Sequence, residues 1–258
     1  MKENVLVFDI ETIPDLDGGR KLHNLHGLSD DDVAAAMASM RQQARGTDFQ
    51  PVHLHRIVAI SVVLRSSDGL KVLSLGDEST GEGELVKKFF DGVERYKPIL
   101  VSWNGTGFDL PVLHYRALVH GVTAKRYWDC GYFDRDTKWN NYQKRYEFQH
   151  TDIMDVMGLY QGRNNAPLHE VSILLGFPGK LGMDGSQVFA AWRAGRLAEI
   201  RAYCETDVLN TYLIYLRFQL MRGYLTPEDY ATEIANVRSL LSAANAPAHL
   251  VEYNSLWK

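Results

Sequence analysis

The order of the β-rich runs constrains this chain most. NVLVFDIE at residues 4–11 is a Val-rich strand with an acidic end. RIVAISVVLR (56–65) and LKVLSLG (70–76) flank a polar SSDG, which predicts a hairpin. From there helix and strand alternate. GEGELVKKFFDGVERY (81–96) is an amphipathic helix, and PILVSWN (98–104) is a strand. GFDLPVLHYRALVHG (107–121) is a helix with Asp109 as its expected N-cap and Gly121 beyond its end. FQHTDIMDVM (148–157) is a short strand entering a helix. Helical patterns fill 168–176, 185–195, 197–223 and 226–244, the last opening on a Thr-Pro-x-Asp cap. Residues 245–258 read as a tail. Three strands followed by alternating helix and strand predict an α/β domain: one mixed sheet with an antiparallel part, flanked by helices. DDDVAAAMASMRQQARG (30–46) is a further helix between the first two strands, so residues 16–50 are expected to be an insertion.

The chain has 258 residues, 45% hydrophobic and 23% charged, enough for one large domain, or one domain with additions, that needs no staples. Cys130 and Cys204 stand far apart without Cys-x-x-Cys spacing, so neither a disulfide framework nor a structural zinc site is expected. The opening MKENVLVF is too short in apolar residues for a signal peptide. No run approaches the ~20 apolar residues of a membrane span, and a cytoplasmic setting is expected. The net charge of −4 argues against coating duplex DNA, which needs many cationic phosphate contacts. It leaves room for a nucleic-acid enzyme, because a pocket for metal cations must itself be acidic.

A buried strand avoids unpaired carboxylates, yet VLVFDIETIPD places Asp9 and Glu11 at the end of the first one. Residues i and i+2 share a strand face, so both acids converge at the carboxyl end, where ligands sit in open α/β sheets. Such a pair needs a cation or a shared proton, unless both acids simply reach water. SWNGTGFD supplies a strand end at Trp103 and Asn104, a Gly-rich turn, then Phe108 and Asp109; helix capping alone would account for the Asp. YCETD puts Tyr203 and Asp207 one turn apart on one helix face, beside the core-type residues Ile200, Val208, Leu209 and Tyr212. A Tyr–Asp hydrogen bond would account for that pair as well. His150, Asp152 and Asp155 in HTDIMD could suggest another metal cluster, but Asp152 follows a strand and is read as capping or supporting the helix after it; Cys204 is read as a small packed hydrophobe, and His53 and His55 as exposed. Residues 122–148 are irregular and rich in cations and aromatics, among them Lys125, Trp128, Lys138, Trp139, Lys144 and Arg145. This loop is long enough to guide a single strand, although it also fits a plain solvated surface.

Taken in order, the three signals resemble the exonuclease motifs of the DEDD (DnaQ-like) superfamily, with Tyr203 marking the tyrosine subclass. FDIETIPD and WNGTGFDLPVL look most like the proofreading exonuclease domain of family B DNA polymerases. More narrowly, the chain resembles the bacterial stand-alone group of predicted 3′–5′ exonucleases related to that domain. The resemblance spans residues 3–222, in the right order. It implies an RNase H-like mixed five-stranded sheet. The exonuclease domain would occupy 1–225, with the insertion at 16–50, and a C-terminal helix and tail at 226–258 would pack on it. Asp9, Glu11, Asp109 and Asp207 would hold two divalent ions, Mg²⁺ or Mn²⁺, hard cations that take oxygen ligands. Two such ions ~3.5–4 Å apart clamp the attacking and leaving oxygens of a phosphodiester. Asp9 would bridge both ions, Glu11 and Asp207 would complete the site of the nucleophile's ion, and Asp109 would serve the other. Tyr203 would orient the attacking water as a neutral phenol. Ile10, Thr12 and Ile13 would border the terminal nucleotide, and Asn104 and Phe108 would meet the penultimate sugar and base.

The expected activity is a metal-dependent 3′–5′ exonuclease that releases nucleoside 5′-monophosphates from 3′ ends of single-stranded nucleic acid, DNA favoured. An RNA or short-oligonucleotide exonuclease on the same site is the close alternative, since the 2′-OH is read by local shape. A non-catalytic nucleic-acid-binding module is the other, and the presence of all four acids and the tyrosine argues against it.

Overall fold

The computed structural model describes residues 3–258. Its elements run β1 (Val5–Pro14), α1 (Leu16–His23), α2 (Asp30–Arg45), β2 (His55–Ser66), β3 (Gly69–Ser74), α3 (Glu82–Tyr96), β4 (Ile99–Ser102) and α4 (Asp109–His120). They continue with α5 (Lys125–Trp128), β5 (His150–Asp152), α6 (Ile153–Met157), α7 (Leu168–Leu174), α8 (Val188–Arg193), α9 (Leu197–Met221), α10 (Pro227–Leu241) and α11 (Ala248–Leu256). The strands form one five-stranded sheet in the order β3-β2-β1-β4-β5. β1, β2 and β3 pair antiparallel, and β1, β4 and β5 pair parallel. This is the mixed α/β sheet that the order of the runs predicts.

β1 is central and covered on both faces, which is why it reads as a continuous apolar run. Val5 and Val7 join the core beneath α9, α10 and α11. Leu6, Phe8 and Ile10 join the opposite core beneath α3 and α4. α9 is apolar around most of its circumference, because it lies between the sheet and the outer helices. Residues such as Leu213 and Leu216 are fully buried there, each worth about 1.5–3 kcal/mol of transfer free energy.

Near the end of β1 the β2 register shifts, so that Glu11 pairs with Ala59 and Thr12 with Ile57. The extra residue is on β2, a bulge that leaves the alternation of β1 intact. Asp9 therefore stays on the same face as Glu11, beside the small residues Ser61 and Ala59. Their size leaves room for the first turns of α9.

Two expectations change here. Residues 245–258 are not a tail: α11 buries Leu250, Tyr253 and Trp257 at i, i+3 and i+7 against the α9 core. The sequence hid this helix because Val251 and Leu256 stay exposed on its other side. The 16–50 segment holds α1 as well as α2, with a small core of Leu16, Val33, Met37 and Leu54. Gly18 and Gly19 concealed α1, yet Asp15 caps it through Gly18 N–H. Among the described residues no helix is long and apolar enough to cross a membrane.

Candidate active site

Asp9 and Glu11 point toward α9 from the carboxyl end of β1. Ligand atoms of Asp9, Glu11 and Cys204 lie within 4.8 Å of one another. Cys204 is fully buried, with Sγ 3.5 Å from the Asp9 backbone oxygen and from Asp9 Oδ2. Burial, then the Asp9 and Glu11 charges, push its thiol well above the usual range. It stays a neutral weak donor to Asp9, a different role from the inert packing the sequence led us to expect.

Asp109 comes from the other side of β1. β4 pairs with β1 only through Val7↔Val101, so the edge of β1 beyond Phe8 is open there. Asp109 Oδ1 fills this gap and accepts the Ile10 N–H at 3.1 Å. Asp109 is thus not the N-cap of α4. It is the first helical residue, Phe108 takes the cap position without a side-chain bond, and the carboxylate is drawn to β1 instead. The turn before it is held by Asp152, whose two oxygens accept Asn104 N–H and Thr106 N–H at 2.9 Å each. Asn104 adopts a left-handed φ of 65°, which Asn tolerates better than most residues. Gly105 passes so close to Ser102 that a Cβ would lie 2.3 Å from Ser102 Oγ.

Tyr203 and Asp207 face the β1 acids from α9, both buried. Between them stands a residue the sequence reading missed. Lys180 Nζ donates to Tyr203 Oη at 2.5 Å and lies 2.7 Å from Asp207 Oδ2. Its loop is pinned by Asn210 of α9, which accepts the Gly179 N–H at 3.2 Å and donates to the Gly179 carbonyl at 2.9 Å. Tyr253 of α11 donates to the same Asn210 oxygen at 2.6 Å. Gly179 sits at φ 74° against His169, where a Cβ would clash. The signal in the sequence is slight: a lone Lys between glycines in GFPGKLG.

The electrostatics follow from this crowding. Burial, then Asp109 and Asp207, push Asp9 well above the usual carboxylate range. Burial, then Asp9 and Asp207, do the same to Glu11. Burial pushes Asp109 up to about 7. Asp207 is raised by burial against the pull of Lys180. Burial alone would lower the Lys180 ammonium, but Asp207, Asp9 and Glu11 together hold it raised. Tyr203 is pushed far up by burial and by the carboxylates of Asp207, Glu11 and Asp9, so it remains a phenol. Asp207 Oδ1 is buried without a hydrogen-bond partner. An orphaned carboxylate oxygen within the field of two further carboxylates is a donor set suited to hard divalent cations.

The expected nucleotide contacts divide. Asn104 is exposed and Thr12 half-buried, with Thr12 Oγ1 2.8 Å from His55 Nδ1. Phe108 is half-buried; its ring lies 5.0 Å from His55 and 5.6 Å from Phe49. Phe49, exposed and contributed by the segment after α2, was not anticipated. Ile13 is a correction. Its side chain is 1% exposed among Val58, Ala191, Ile200 and Tyr203, so apolar packing withdraws it from any ligand. The Ile10 side chain is likewise buried in the α3–α4 core, and only backbone is left to meet a nucleotide. His55 is also buried, against the expectation of exposure, because its ring bridges Thr12 and the Gln50 carbonyl.

Residues 47–257 match a family described as predicted 3′–5′ exonucleases related to the exonuclease domain of PolB. That interval contains Asp109, Tyr203 and Asp207; β1 lies before it. DNA polymerase 1 of Saccharolobus solfataricus is 39% identical over a 79-residue alignment, covering 24% of this chain and 9% of that polymerase. The structure of the family B DNA polymerase from the archaeon Pyrobaculum calidifontis superposes with a TM-score of 0.50 at 19% identity. The match covers 99% of this chain and 27% of that one, so the likeness in fold extends over nearly the whole molecule. This chain therefore spans about a quarter or less of the length of either polymerase.

Proposed function

The chain belongs to the family of predicted 3′–5′ exonucleases related to the exonuclease domain of PolB, and from that membership we propose that it hydrolyses single-stranded nucleic acid from the 3′ end, DNA in preference, releasing nucleoside 5′-monophosphates. The observation that carries the proposal is the pairing of Asp9 and Glu11 at the end of β1, within 4.8 Å of each other and in the field of Asp207 of α9, whose Oδ1 is buried without a partner. Asp9, Glu11, Asp207 and Asp109 would hold two divalent cations, Mg²⁺ or Mn²⁺. When bound, such cations lower the pKa of a coordinated water and neutralise charge on the phosphate.

The chain's own groups do the rest. The Tyr203 oxygen accepts from Lys180 and its phenol is hydrogen-bonded to Asp207, so Tyr203 donates to a water or a phosphate oxygen by exchanging Asp207 for it. With its pKa raised, Tyr203 orients that partner and removes no proton from it. Lys180 places a fixed positive charge beside the position of the reacting phosphate, and it compensates Asp207. Asn104, Phe108 and Thr12 line the approach from the α4 side. Asp109 ties this side to β1, so strand end and approach are held as one unit.

The test is digestion of 5′-labelled single-stranded DNA and RNA in Mg²⁺, Mn²⁺ or EDTA, with chromatography of the products. The expected result is a descending ladder from the 3′ end in either metal but not in EDTA, with nucleoside 5′-monophosphates released and DNA cut faster. Internal cleavage, or an undiminished ladder in EDTA, would sink the proposal.

A further inference from the structure

Residues 125–148 carry six Lys or Arg against four acids, a cationic segment in a chain of net charge −4. Three of those acids are already engaged, Glu147 by Lys144 at 3.8 Å. Asp129 accepts backbone N–H groups of Gly131, Tyr132, Phe133 and Asp134, and Asp134 accepts Arg126. The segment also exposes large rings beside its cations. Trp139 is 71% exposed, with Lys138 Nζ 5.0 Å and Lys144 Nζ 5.6 Å from its centroid. Tyr146 is 68% exposed and stands edge-on to Tyr160 at 4.7 Å, and Arg145 stacks over Tyr160 at 5.4 Å.

The turn that presents Tyr160 is strained. Leu159 and Tyr160 adopt left-handed φ values of 52° and 59° in succession, which non-glycine residues rarely do. The Tyr160 N–H closes this turn on the Asp155 carbonyl at 2.7 Å.

Hydrogen bonds link Arg145 and the Tyr160 turn to the acidic site. Arg145 grips both oxygens of Asp155 at 2.8 Å each. The Asp155 N–H donates to Asp152 Oδ1, and Asp152 holds the Asn104–Thr106 turn that leads into Asp109. The Arg145–Tyr160 end of the surface thus lies beside the approach, and the Trp139 end lies away from it, next to Asn140 and Tyr142, which bond Gln149 and the Pro98 carbonyl before β5 and β4.

We propose that Trp139, Tyr146 and Tyr160, with Lys138, Lys144 and Arg145, form a ledge that holds the single strand upstream of the nucleotide being removed. This rests on the exonuclease reading. Exposed rings take bases of any sequence by stacking, and interleaved cations take the phosphates. A protein partner would favour an apolar patch depleted in lysine, whereas here Lys138 and Lys144 stand against Trp139 and Arg145 against Tyr160. The ledge would let an acidic protein grip a polyanion without a basic active site.

The test compares the wild type with Trp139→Ala/Tyr146→Ala and with Lys138→Glu/Lys144→Glu. Affinity is measured by fluorescence anisotropy on 5′-labelled single strands of about 4 and about 16 nucleotides. Site chemistry is measured separately, as metal-dependent hydrolysis of the p-nitrophenyl ester of thymidine 5′-monophosphate, which is too small to reach the ledge. Thermal melts confirm that each variant is folded. The expected result is unchanged ester hydrolysis and unchanged affinity for the short strand, with affinity for the long strand falling roughly tenfold or more in both variants. Long-strand affinity equal to wild type in either folded variant overturns the ledge and leaves the surface to a protein partner. A wild type that hydrolyses the ester but binds both lengths equally also overturns it, with the exonuclease reading intact. A wild type that neither hydrolyses the ester nor binds either strand overturns both.

Discussion

At the scale of single residues, the site has a charge imbalance that two substitutions expose with opposite signs. Asp9 lies beside Glu11 and within the field of Asp109 and Asp207, and burial already disfavours its charge. Asp9→Asn removes one of these like charges. It should stabilise the protein in EDTA by about 1 kcal/mol in urea unfolding, while abolishing turnover. Lys180→Met removes the cation that compensates Asp207. It should destabilise the protein in EDTA by about 1 kcal/mol, and adding Asp207→Asn should recover most of that loss. Equal signs for Asp9→Asn and Lys180→Met would refute this electrostatic account. The acids were legible in the sequence because strand parity and helix spacing place Asp9 with Glu11, and Tyr203 with Asp207. Lys180 was not legible: its position depends on Asn210 and Tyr253, which lie 30 and 73 residues further along the chain. Ile13 was misjudged because adjacency to the acids says nothing about α8 and α9 closing over that side.

At the scale of elements, α11 positions the site without touching it. Tyr253 fixes Asn210, Asn210 fixes Gly179, and Lys180 follows. Tyr253→Phe should cost about 1 kcal/mol of stability and slow turnover, while leaving metal affinity as in the wild type. Unchanged kcat would show that the loop holds Lys180 unaided. The loop after α5 makes a pH prediction. Burial alone would raise the Asp129 carboxyl, but the N–H groups of Phe133, Asp134 and Tyr132 outweigh it and hold the pKa down to about 2. A depressed folded-state pKa contributes stability above the unfolded value near 4, which is lost as pH falls toward about 2. Exchange protection of the amides at 131–134 should therefore persist above pH ~4 and fade below it, and Asp129→Asn should lower it at neutral pH. The longer elements were legible from period and caps. α1 and α11 were not, one because glycines dilute its pattern and the other because Val251 and Leu256 interrupt its polar side.

For the whole molecule, the sheet brings together side chains from residue 9 to residue 207 only because β1 is central. β4 stops short of it on one side, and α9 crosses it with small residues beneath. The mixed sheet with its antiparallel part could be read from the chain, since a hairpin followed by alternating helix and strand leaves few sheets to build, but not the strand order β3-β2-β1-β4-β5. The closeness of the acids could not, because it depends on where β4 ends and on the bulge in β2. Under the proposed function, this architecture gathers carboxylates in order to hold cations. Calorimetric titration of Mn²⁺ in the presence of thymidine 5′-monophosphate tests that claim on wild type, Asp9→Asn and Tyr203→Phe. Wild type and Tyr203→Phe should bind Mn²⁺ saturably, and Asp9→Asn should lose the heat. Binding by Asp9→Asn indistinguishable from wild type, or no binding by the wild type, would contradict it.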